Sequence, residues 1–508
     1  MIRTMGDADN TYAGLIAAVK EISLLGSSAS VLHWDKETYM PPKGAEARGD
    51  QVSLLARLAH EQFTDKKIGA MIAAVEASDL VKDPQHDAAV NTRELRRAYD
   101  RATKIPAALV AEISKASVLG HHAWIDARKN SNYGKFKPWL AKMLELRKQE
   151  ADYVGYRFTP YDALLDEYEP HETTENLKRV FESLRDPLIE LVAKIQASPR
   201  KAPVEILERK YPAAAQEVFA RDAAKAVGFD FDAGRLDISV HPFCTDFSPT
   251  DVRMTTRYDE HYFGDAFFGV LHETGHALYG QGLPVEHYGT PLGEAVSLGI
   301  HESQSRLWEN FVGRSRAFWE FFFPKAQLVF GQQLRDVTLE QWYFAVNDVR
   351  PSFIRTESDE ATYNLHILLR FELEQAMISG ELACDDVPAA WNERMEKYFA
   401  LTPPDDAKGV LQDTHWSGGA FGYFPTYTLG NLYAAQFFEQ ARKDLGDLDA
   451  MFARGDFSPL LNWLRQNIHR HGKRYTAREL VKRITGRELS AEPLLNHLRR
   501  RAAELYGM

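Results

Sequence analysis

Residues 266–280 read AFFGVLHETGHALYG and carry two histidines four positions apart in an apolar segment. On an α-helix, this spacing places His272 and His276 about 40° apart around the axis and roughly 6 Å apart along it. Both imidazoles can therefore bind one metal ion. Glu273, one position after the first histidine, can reach a water molecule beside that ion without binding the ion itself. The stretch predicts a buried helix with a metal site on one face.

A catalytic zinc site needs three protein ligands and one open position. A third histidine ten positions after His272 would complete a longer form of the motif, but that position is Gly282. The third ligand is then expected on a following helix, predicted over residues 293–312, where Glu294 and Glu302 could each serve. Geometry alone does not choose between them, and Glu294 could instead accept a hydrogen bond from a ligating histidine. Two histidines and a glutamate suit zinc, and they also admit cobalt or manganese.

Apolar residues recur at spacings of three and four along most of the chain, which is the helical pattern. Of the 508 residues, 44% are apolar and 11% are aromatic, so a large buried core is expected. Helices are predicted over residues 12–25, 51–77, 107–119, 136–154, 174–197 and 213–227. Near the C-terminus, Thr476 and Glu479 form a capping box at the start of another helix.

One region departs from the helical pattern. Residues 235–246 (RLDISVHPFCTD) and 251–258 (DVRMTTRY) alternate polar and apolar side chains and contain several β-branched residues. They predict two or three short strands, with Pro242 at a sheet edge. We therefore predict a mainly α fold, a single large helical domain over residues 1–508 with a small sheet beside its active cleft.

Charge and cysteine content narrow the possible partners. Lys plus Arg number 61 and Asp plus Glu number 72, for a net charge of −11, which disfavours nucleic-acid and anionic-membrane binding. Two short basic runs, residues 469–474 and 499–501, are interpreted as solvated surface. Cys244 and Cys384 cannot build a disulfide framework. The chain begins without a signal-like pattern and has no run of 18 apolar residues, so we expect a cytoplasmic protein with no membrane partner.

The chain resembles the M32 family of metallocarboxypeptidases in a set of short motifs that follow the family order. The motifs are LHWD at residues 32–35 with MP at 40–41, HPF at 241–243, DVRMT at 251–255, HETGH at 272–276, HESQ at 301–304, IRTESD at 354–359 and GVLQDTHW at 409–416. Single motifs such as HPF are weak signals, but together and in order they cover the chain from about residue 30 to beyond residue 430.

The resemblance implies that His272, His276 and Glu302 are the metal ligands, which decides between the two glutamates, and that Glu273 is the general base and acid. It implies one zinc ion per chain and removal of C-terminal residues from peptides with broad specificity. It also implies a homodimer and a helical shell with a deep groove, similar to neurolysin and angiotensin-converting enzyme. The helices within residues 1–80 are expected to flank or cover this groove.

Several polar side chains are candidates to contact the substrate. Tyr423 and Tyr427 could each donate a hydrogen bond to the carbonyl oxygen as it becomes negative, although either could be a packed core residue. His241 and His415 could bind the substrate backbone, or they could be structural. His301 points about 100° away from its neighbour Glu302 on a helix and is expected beside the ligands or at the surface.

A carboxypeptidase must also recognise a free carboxylate, and arginine offers a planar fork of donors for this purpose. Arg355 is our first candidate because the family motif that contains it is thought to line that end of the groove. The competing interpretation is an ion pair with Glu357 or Asp359. Arg253 is the second candidate.

Three other interpretations are open at this point. An endo-acting zinc oligopeptidase shares the metal chemistry and differs in how it recognises the end of its substrate. An aminopeptidase is disfavoured because the sequence lacks a GxMEN-type amine-binding motif. A non-catalytic helical scaffold, with a structural metal or with none, is disfavoured by Glu273, which a structural site does not need. The sequence favours a zinc-dependent carboxypeptidase.

Overall fold

Helices account for most of the fold, which confirms the predicted mainly α class. The structure is a computed structural model that describes residues 6–508. The N-terminal part contains α1 (Asp7–Thr38), α2 (Ala45–Phe63), α3 (Lys66–Glu76), α4 (Asp87–Lys104), α5 (Ala107–Lys129), α6 (Tyr133–Val154), α7 (Pro160–Leu165), α8 (Thr174–Ala197) and α9 (Ala213–Ala226). Strands β1 (Gly234–Ile238), β2 (Cys244–Ser248) and β3 (Asp251–Thr256) follow.

The rest of the chain is again helical. It contains α10 (Phe263–Gly280), α11 (Leu298–Arg306), α12 (Arg316–Val329), α13 (Gly331–Leu334), α14 (Leu339–Ala345), α15 (Thr362–Ser379), α16 (Val387–Phe399), α17 (Pro425–Leu445), α18 (Leu448–Ala453), α19 (Ser458–Asn467), α20 (Ala477–Thr485) and α21 (Glu492–Tyr506). A π-helix, Leu307–Gly313, continues directly from α11.

One of the predicted helices is interrupted. The pattern over residues 51–77 predicted a single helix, but α2 ends at Phe63 and α3 begins at Lys66. The side chain of Asp65 accepts a hydrogen bond from the backbone N–H of Lys67 at 2.8 Å, which is an N-cap contact. The prediction of continuity was wrong because the apolar spacing continues across a residue that caps a new helix.

The three strands form one sheet in the order β1-β3-β2. Strand β1 pairs with β3 in parallel, and β2 pairs with β3 in the antiparallel direction. Pro242 lies in the connection between β1 and β2, the two outer strands, and so stands outside the hydrogen-bonded ladder. Val252 and Met254 of β3 are fully buried, and the sheet packs on α10 through this central strand.

The N-terminal helices have a hydrophobic core of their own. Six buried side chains form it: Leu15, Val19, Ile68, Ile72, Val75 and Leu95. We call α1–α3, residues 7–76, the N-terminal lobe. Within residues 6–508, α1 is the one helix long and apolar enough to cross a membrane, a property shared by core helices of soluble proteins and by signal sequences. In the fold, α1 packs against α2, α3 and β2.

Candidate metal centre

Helix α10 carries the first two candidate ligands and the candidate base. Phe268 and Val270 are buried on nearly opposite sides of it, because β3, α9 and α11 all pack against this helix. His272 and His276 lie one turn apart and face α11. The helix is therefore buried, as the sequence predicts.

The helix that carries the third candidate ligand begins later than predicted. The pattern predicted a helix over residues 293–312, but α11 begins only after Ser297, whose hydroxyl accepts a hydrogen bond from the N–H of Ile300 at 3.1 Å. Glu294 lies before the helix, is exposed and forms an ion pair with Lys473. Glu294 is thus neither a ligand nor a partner of a ligand in this structure.

Glu302 of α11 lies opposite the two histidines. Its Oε2 is 3.6 Å from Nε2 of His272 and 3.4 Å from Nε2 of His276. One possible ligand atom from each of the three residues lies within 4.8 Å of the others. Atoms at this spacing fit around a single ion with bonds of roughly 2.0–2.2 Å. The structure therefore brings together the three residues named from the sequence.

Two glycines allow α10, α11 and α17 to approach closely enough for this geometry. A Cβ atom at Gly275 of α10 would lie 2.4 Å from the backbone oxygen of Gln304. A Cβ atom at Gly430 of α17 would lie 2.4 Å from Cγ of Glu302. A larger residue at either position would displace α11 or its side chains, so close helix packing fixes the place of Glu302.

Each candidate histidine ligand has a partner for its second ring nitrogen. Nδ1 of His272 is 2.9 Å from Oε2 of Glu309, and Nδ1 of His276 is 2.6 Å from Nδ1 of His301. Such partners select the tautomer that leaves Nε2 free to bind a metal. His301 thus lies beside a ligand, the first of its two expected positions. Glu309 was not predicted, because a π-helical turn, which helical spacing does not reveal, brings it to His272.

The carboxylate of Glu302 is held by neighbours on its own helix. Ser305 Oγ donates to its Oε2 at 2.9 Å, and Arg306 Nε donates to its Oε1 at 2.7 Å. Burial alone would raise the pKa of Glu302, but Arg306 and His272 outweigh burial and hold the pKa well below its ordinary value. An ionised carboxylate is the form that binds a metal ion.

Glu273 is buried, with 7% of its surface exposed, and it does not belong to the three-residue ligand group. Burial raises the pKa of Glu273 to about 7, against the opposing effect of His272. A carboxyl group that titrates near neutral pH can both accept and return a proton under physiological conditions. Glu273 is thus a buried carboxyl group on the same helix as the two candidate histidine ligands, with a raised pKa.

Tyr423 and Tyr427 lie together where the chain enters α17. Their ring centroids are 5.4 Å apart, and the Tyr427 hydroxyl is 3.3 Å from Nε2 of His415. Burial raises the pKa of Tyr427 well above its ordinary value and lowers the pKa of His415 to about 4. Burial and the charge of Glu302 also raise the pKa of Tyr423. A neutral imidazole and two protonated phenols therefore form one cluster close to the metal centre.

Arg355 is buried next to this cluster and is paired with Asp413. Its Nε and Nη2 donate to Oδ1 of Asp413 at 3.1 and 2.8 Å, and its Nη1 donates to the Tyr363 hydroxyl at 2.8 Å. Nε of Arg370 donates to the other oxygen of Asp413 at 2.7 Å. Two guanidinium groups therefore share one carboxylate, and the cluster keeps an excess of one positive charge.

The competing interpretation of Arg355 named the wrong partners. It expected an ion pair with Glu357 or Asp359, whereas the guanidinium binds Asp413, which is distant in sequence. Asp359 instead accepts hydrogen bonds from the N–H and the hydroxyl of Thr362 at 3.0 and 2.6 Å, at the start of α15. Asp413 was quoted in a motif but was given no role, since nothing local in the sequence pairs it with arginine.

Arg253 and His241 lie apart from the Arg355 cluster. The guanidinium of Arg253 binds Asp251 at 2.8 Å and is placed over the rings of Trp34 and Phe247, 4.4 and 4.8 Å from their centroids. His241 is exposed in the connection between β1 and β2. Arg253 thus joins the N-terminal lobe to the sheet, and the substrate roles of both residues stay predictions.

The two basic runs are less solvated than expected. His469 is fully buried, and its Nε2 is 2.9 Å from Oε1 of Gln304, next to the ligand helix. Arg501 is partly buried and forms an ion pair with Glu360 at 2.5 Å. The surface interpretation was wrong for these two residues, because a short basic run does not reveal which of its members turn inward.

Comparison with known proteins agrees with the geometry. Residues 14–502 match the model of the carboxypeptidase Taq (M32) metallopeptidase family. The chain is 49% identical to thermostable carboxypeptidase 1 of Thermus thermophilus, covering 98% of this chain and 99% of that protein. It is 38% identical to carboxypeptidase 1 of Bacillus subtilis, covering 96% and 97% of the two chains.

Solved structures show the same relationship. The M32 carboxypeptidase from Deinococcus radiodurans R1 superposes with a TM-score of 0.95 at 42% identity, covering 98% of this chain and 100% of that one. Metallocarboxypeptidase 1 of Trypanosoma cruzi superposes with a TM-score of 0.92 at 36% identity, covering 97% and 99%. Identity of this level over nearly the whole length, together with the His-His-Glu group, establishes the relationship: the chain belongs to the carboxypeptidase Taq (M32) family of metallopeptidases and is a metallocarboxypeptidase.

Proposed function

We propose that this protein removes C-terminal residues from peptides with broad side-chain tolerance, using one zinc ion and Glu273 as the general base. The observation that carries the proposal is the convergence of His272, His276 and Glu302 on one point, with Glu273 on the same helix as the two histidines. Two imidazole nitrogens and one carboxylate oxygen are the donor set of many catalytic zinc sites. Cobalt and manganese remain chemically compatible with the same donors.

The reaction needs a proton to move from the attacking water to the leaving amine. When bound, the ion would polarise the scissile carbonyl and acidify water. Glu273 accepts the proton from the attacking water and later donates it to the amine nitrogen. Glu309 and His301 hold the imidazoles of His272 and His276 in the tautomer that leaves Nε2 free.

The negative charge that develops on the carbonyl oxygen also needs a donor from the protein. Tyr423 and Tyr427 supply two protonated hydroxyl groups near Glu302, and either can donate to that oxygen. Their closeness to each other supports a shared role, in which the Tyr427–His415 contact orients the pair. We propose that one of these hydroxyls stabilises the intermediate.

The terminal carboxylate of the substrate would be bound near Arg355. Asp413 and Tyr363 use three of the five guanidinium N–H groups of Arg355, and the other two have no hydrogen-bond partner among residues 6–508. Because Arg355 and Arg370 share the single charge of Asp413, an incoming carboxylate would neutralise the excess positive charge. This charge balance supports recognition of a free C-terminus rather than cleavage within a chain.

The general-base role is tested with Glu273→Gln. The variant should lose hydrolysis by about 10²–10⁴-fold, because the amide cannot accept the proton, while it still binds one metal ion per chain. Metal content and initial rates on one tripeptide measure both effects. Glu294→Gln, which changes an exposed glutamate before the ligand helix, is the matched control and should keep full activity. Unchanged hydrolysis in Glu273→Gln would end the general-base proposal.

Matched peptides test whether the protein cleaves at the C-terminus or within the chain. A free-acid peptide should lose its last residue rapidly. The same peptide with a C-terminal amide should react at least tenfold more slowly, because it lacks the carboxylate that the site is proposed to recognise. Equal rates on both peptides would favour an endo-acting oligopeptidase. A purified protein with no bound metal and no hydrolysis after addition of zinc would favour the scaffold interpretation.

Two further features stay proposals. We propose that the protein is a cytoplasmic homodimer that folds as a single domain, with the N-terminal lobe beside the groove. Light scattering during size-exclusion chromatography should then give twice the chain mass of 57.7 kDa. A mass equal to one chain across the micromolar range would contradict the dimer.

A further inference from the structure

A buried carboxylate touches the start of the ligand helix, and the reaction scheme above does not use it. Glu169 lies in the connection between α7 and α8 and is 1% exposed. Within residues 6–508, no cationic side chain forms an ion pair with it. A buried carboxylate without a cation must be stabilised by hydrogen-bond donors.

Three donors meet the Glu169 carboxylate. The backbone N–H of Gly299 donates to Oε2 at 3.0 Å. The hydroxyls of Ser297 and Tyr433 both donate to Oε1, each at 3.0 Å. The first two donors belong to the start of α11, and the third belongs to α17. Glu169 therefore joins the ligand helix to the helix that packs against it.

These contacts supply hydrogen-bond acceptors for backbone N–H groups at the N-terminal end of α11. The first N–H groups of a helix have no partner within the helix, and they carry a partial positive charge that favours a carboxylate. Here the N–H of Leu298 donates to the backbone oxygen of Tyr168 at 3.1 Å, and the next N–H, that of Gly299, donates to Glu169. Two neighbouring residues of one connection thus hold the first turn of the ligand helix.

The close approach requires a glycine. A Cβ atom at position 299 would lie 2.6 Å from Oε2 of Glu169 and 3.0 Å from Cε2 of Tyr433. Gly299 therefore lets the carboxylate reach the backbone. On α17, Gly430 and Tyr433 are three positions apart and so share a face. One contacts Glu302 and the other contacts Glu169, which places the ligand and the anchor against the same helix face.

We propose that Glu169 is a positioning residue for the metal centre. By holding the first turn of α11, it sets the place of His301 and Glu302, which follow within the next turn. Both of these side chains meet the imidazoles, one as the partner of His276 and the other as the third ligand. The proposal rests on the function proposed above, because it assumes that Glu302 binds the metal.

The test is the zinc affinity of Glu169→Gln. An amide keeps the shape of the carboxylate but removes its negative charge from the N-terminus of α11. Its NH₂ group must either face the N–H of Gly299, from which it cannot accept, or turn the Ser297 and Tyr433 hydroxyls from donors into acceptors. Zinc dissociation constants of metal-free protein are measured by competition with a chromophoric chelator. We expect the dissociation constant of Glu169→Gln to rise about tenfold, at the lower end of the effects seen when residues that support metal ligands are changed. Excess zinc should restore part of the lost activity.

Glu374→Gln is the matched control. Glu374 is also fully buried and accepts three hydrogen bonds, from Tyr161, Trp416 and the N–H of Gly422, and none of these donors belongs to α11. Its change should lower the melting temperature to a similar extent and leave the zinc dissociation constant within twofold. Tyr433→Phe, which removes one donor to Glu169, should weaken zinc binding about threefold.

The outcomes are distinct. A folded Glu169→Gln protein with unchanged zinc affinity overturns the proposal, as does an equal loss of affinity in Glu374→Gln. If Glu169→Gln does not fold, unchanged zinc affinity in folded Tyr433→Phe overturns it. A wild-type protein that binds no zinc or hydrolyses no peptide contradicts the proposed function itself, which is a separate failure.

Discussion

Glu374 of α15 shows how one buried side chain can hold a segment that carries candidate site residues. It accepts hydrogen bonds from the indole of Trp416 at 2.8 Å and from the N–H of Gly422 at 2.9 Å. These two donors lie on either side of the turn between His415 and Tyr423. The carboxylate therefore fixes the segment that presents two candidate substrate-binding groups.

This contact predicts a pH dependence of stability. Burial raises the pKa of Glu374 to about 7, partly opposed by its three donors and by Arg370, from an ordinary value of 4.5. A carboxyl group with a raised pKa in the folded state contributes stability that is complete below about pH 4.5 and is lost as the pH rises through about 7. Compared with Glu374→Gln, the wild-type protein should therefore lose free energy of unfolding between these pH values.

Urea unfolding at a series of pH values measures the effect. The difference in unfolding free energy between wild type and Glu374→Gln is plotted against pH, because the contributions of the other titrating groups are the same in both proteins and cancel. A difference that stays constant from pH 4.5 to 8 would contradict the assigned pKa.

At the residue scale, the sequence showed which side chains can bind a metal but not which side chains support them. The spacing of His272 and His276 is a local feature, and a helix converts it directly into geometry. Glu309 and Asp413 act on partners 37 and 58 positions away in sequence. Their roles depend on how helices pack, and hydrophobic spacing carries little information about that packing.

Helix packing at the metal centre depends on small residues at two crossings. Gly275→Ala should separate α10 from α11, because the new Cβ would lie 2.4 Å from the backbone oxygen of Gln304 and 2.5 Å from Cα of Ser305. Neither backbone atom can rotate away. We expect a loss of about 1–3 kcal/mol in unfolding free energy, the usual cost of overpacking, and a weaker affinity for zinc.

Gly269→Ala is the control on the same helix. A Cβ atom at Gly269 meets nothing within 4 Å, so alanine should stabilise α10 by about 0.5–1 kcal/mol through its better helix propensity. Urea unfolding and zinc titration of both variants measure the contrast. Equal stability of the two variants would show that the crossing of α10 and α11 is looser than described.

The elements differ in how far their sequence determines them. Residues 174–197 were predicted as a helix, and α8 has the same bounds, because its apolar spacing and its Thr173 cap agree. The parallel pairing of β1 with β3 was not predicted, since it joins strands separated by β2. The start of α11 was missed because Ser297 and Glu169 decide it, and one of these lies 128 positions earlier in the chain.

At the scale of the whole molecule, we expect the N-terminal lobe to be less firmly attached than the rest of the chain. Its helix α1 has 32 residues but buries only Leu15, Val19 and Trp34. The lobe meets the sheet through Trp34, which lies under the guanidinium groups of Arg235 and Arg253 at 5.1 and 4.4 Å. A small core, which is completed by Leu95 of α4, and a few polar contacts predict that this lobe opens at a lower free energy than the rest of the chain.

Hydrogen exchange followed by mass spectrometry tests this prediction. Amides of α1–α3 should exchange through local opening well before those of α10, α11 and α17, and Trp34→Ala should speed exchange in the lobe while α10 stays protected. A cavity of about 570 Å³ lies between α1, α4 and His301, so the opening would occur next to the metal centre. Faster exchange confined to the lobe would support movement of these helices beside the metal centre. If the lobe and α10 exchange together in wild type and variant, the molecule opens as one unit, and the N-terminal lobe serves the fold rather than access to the site.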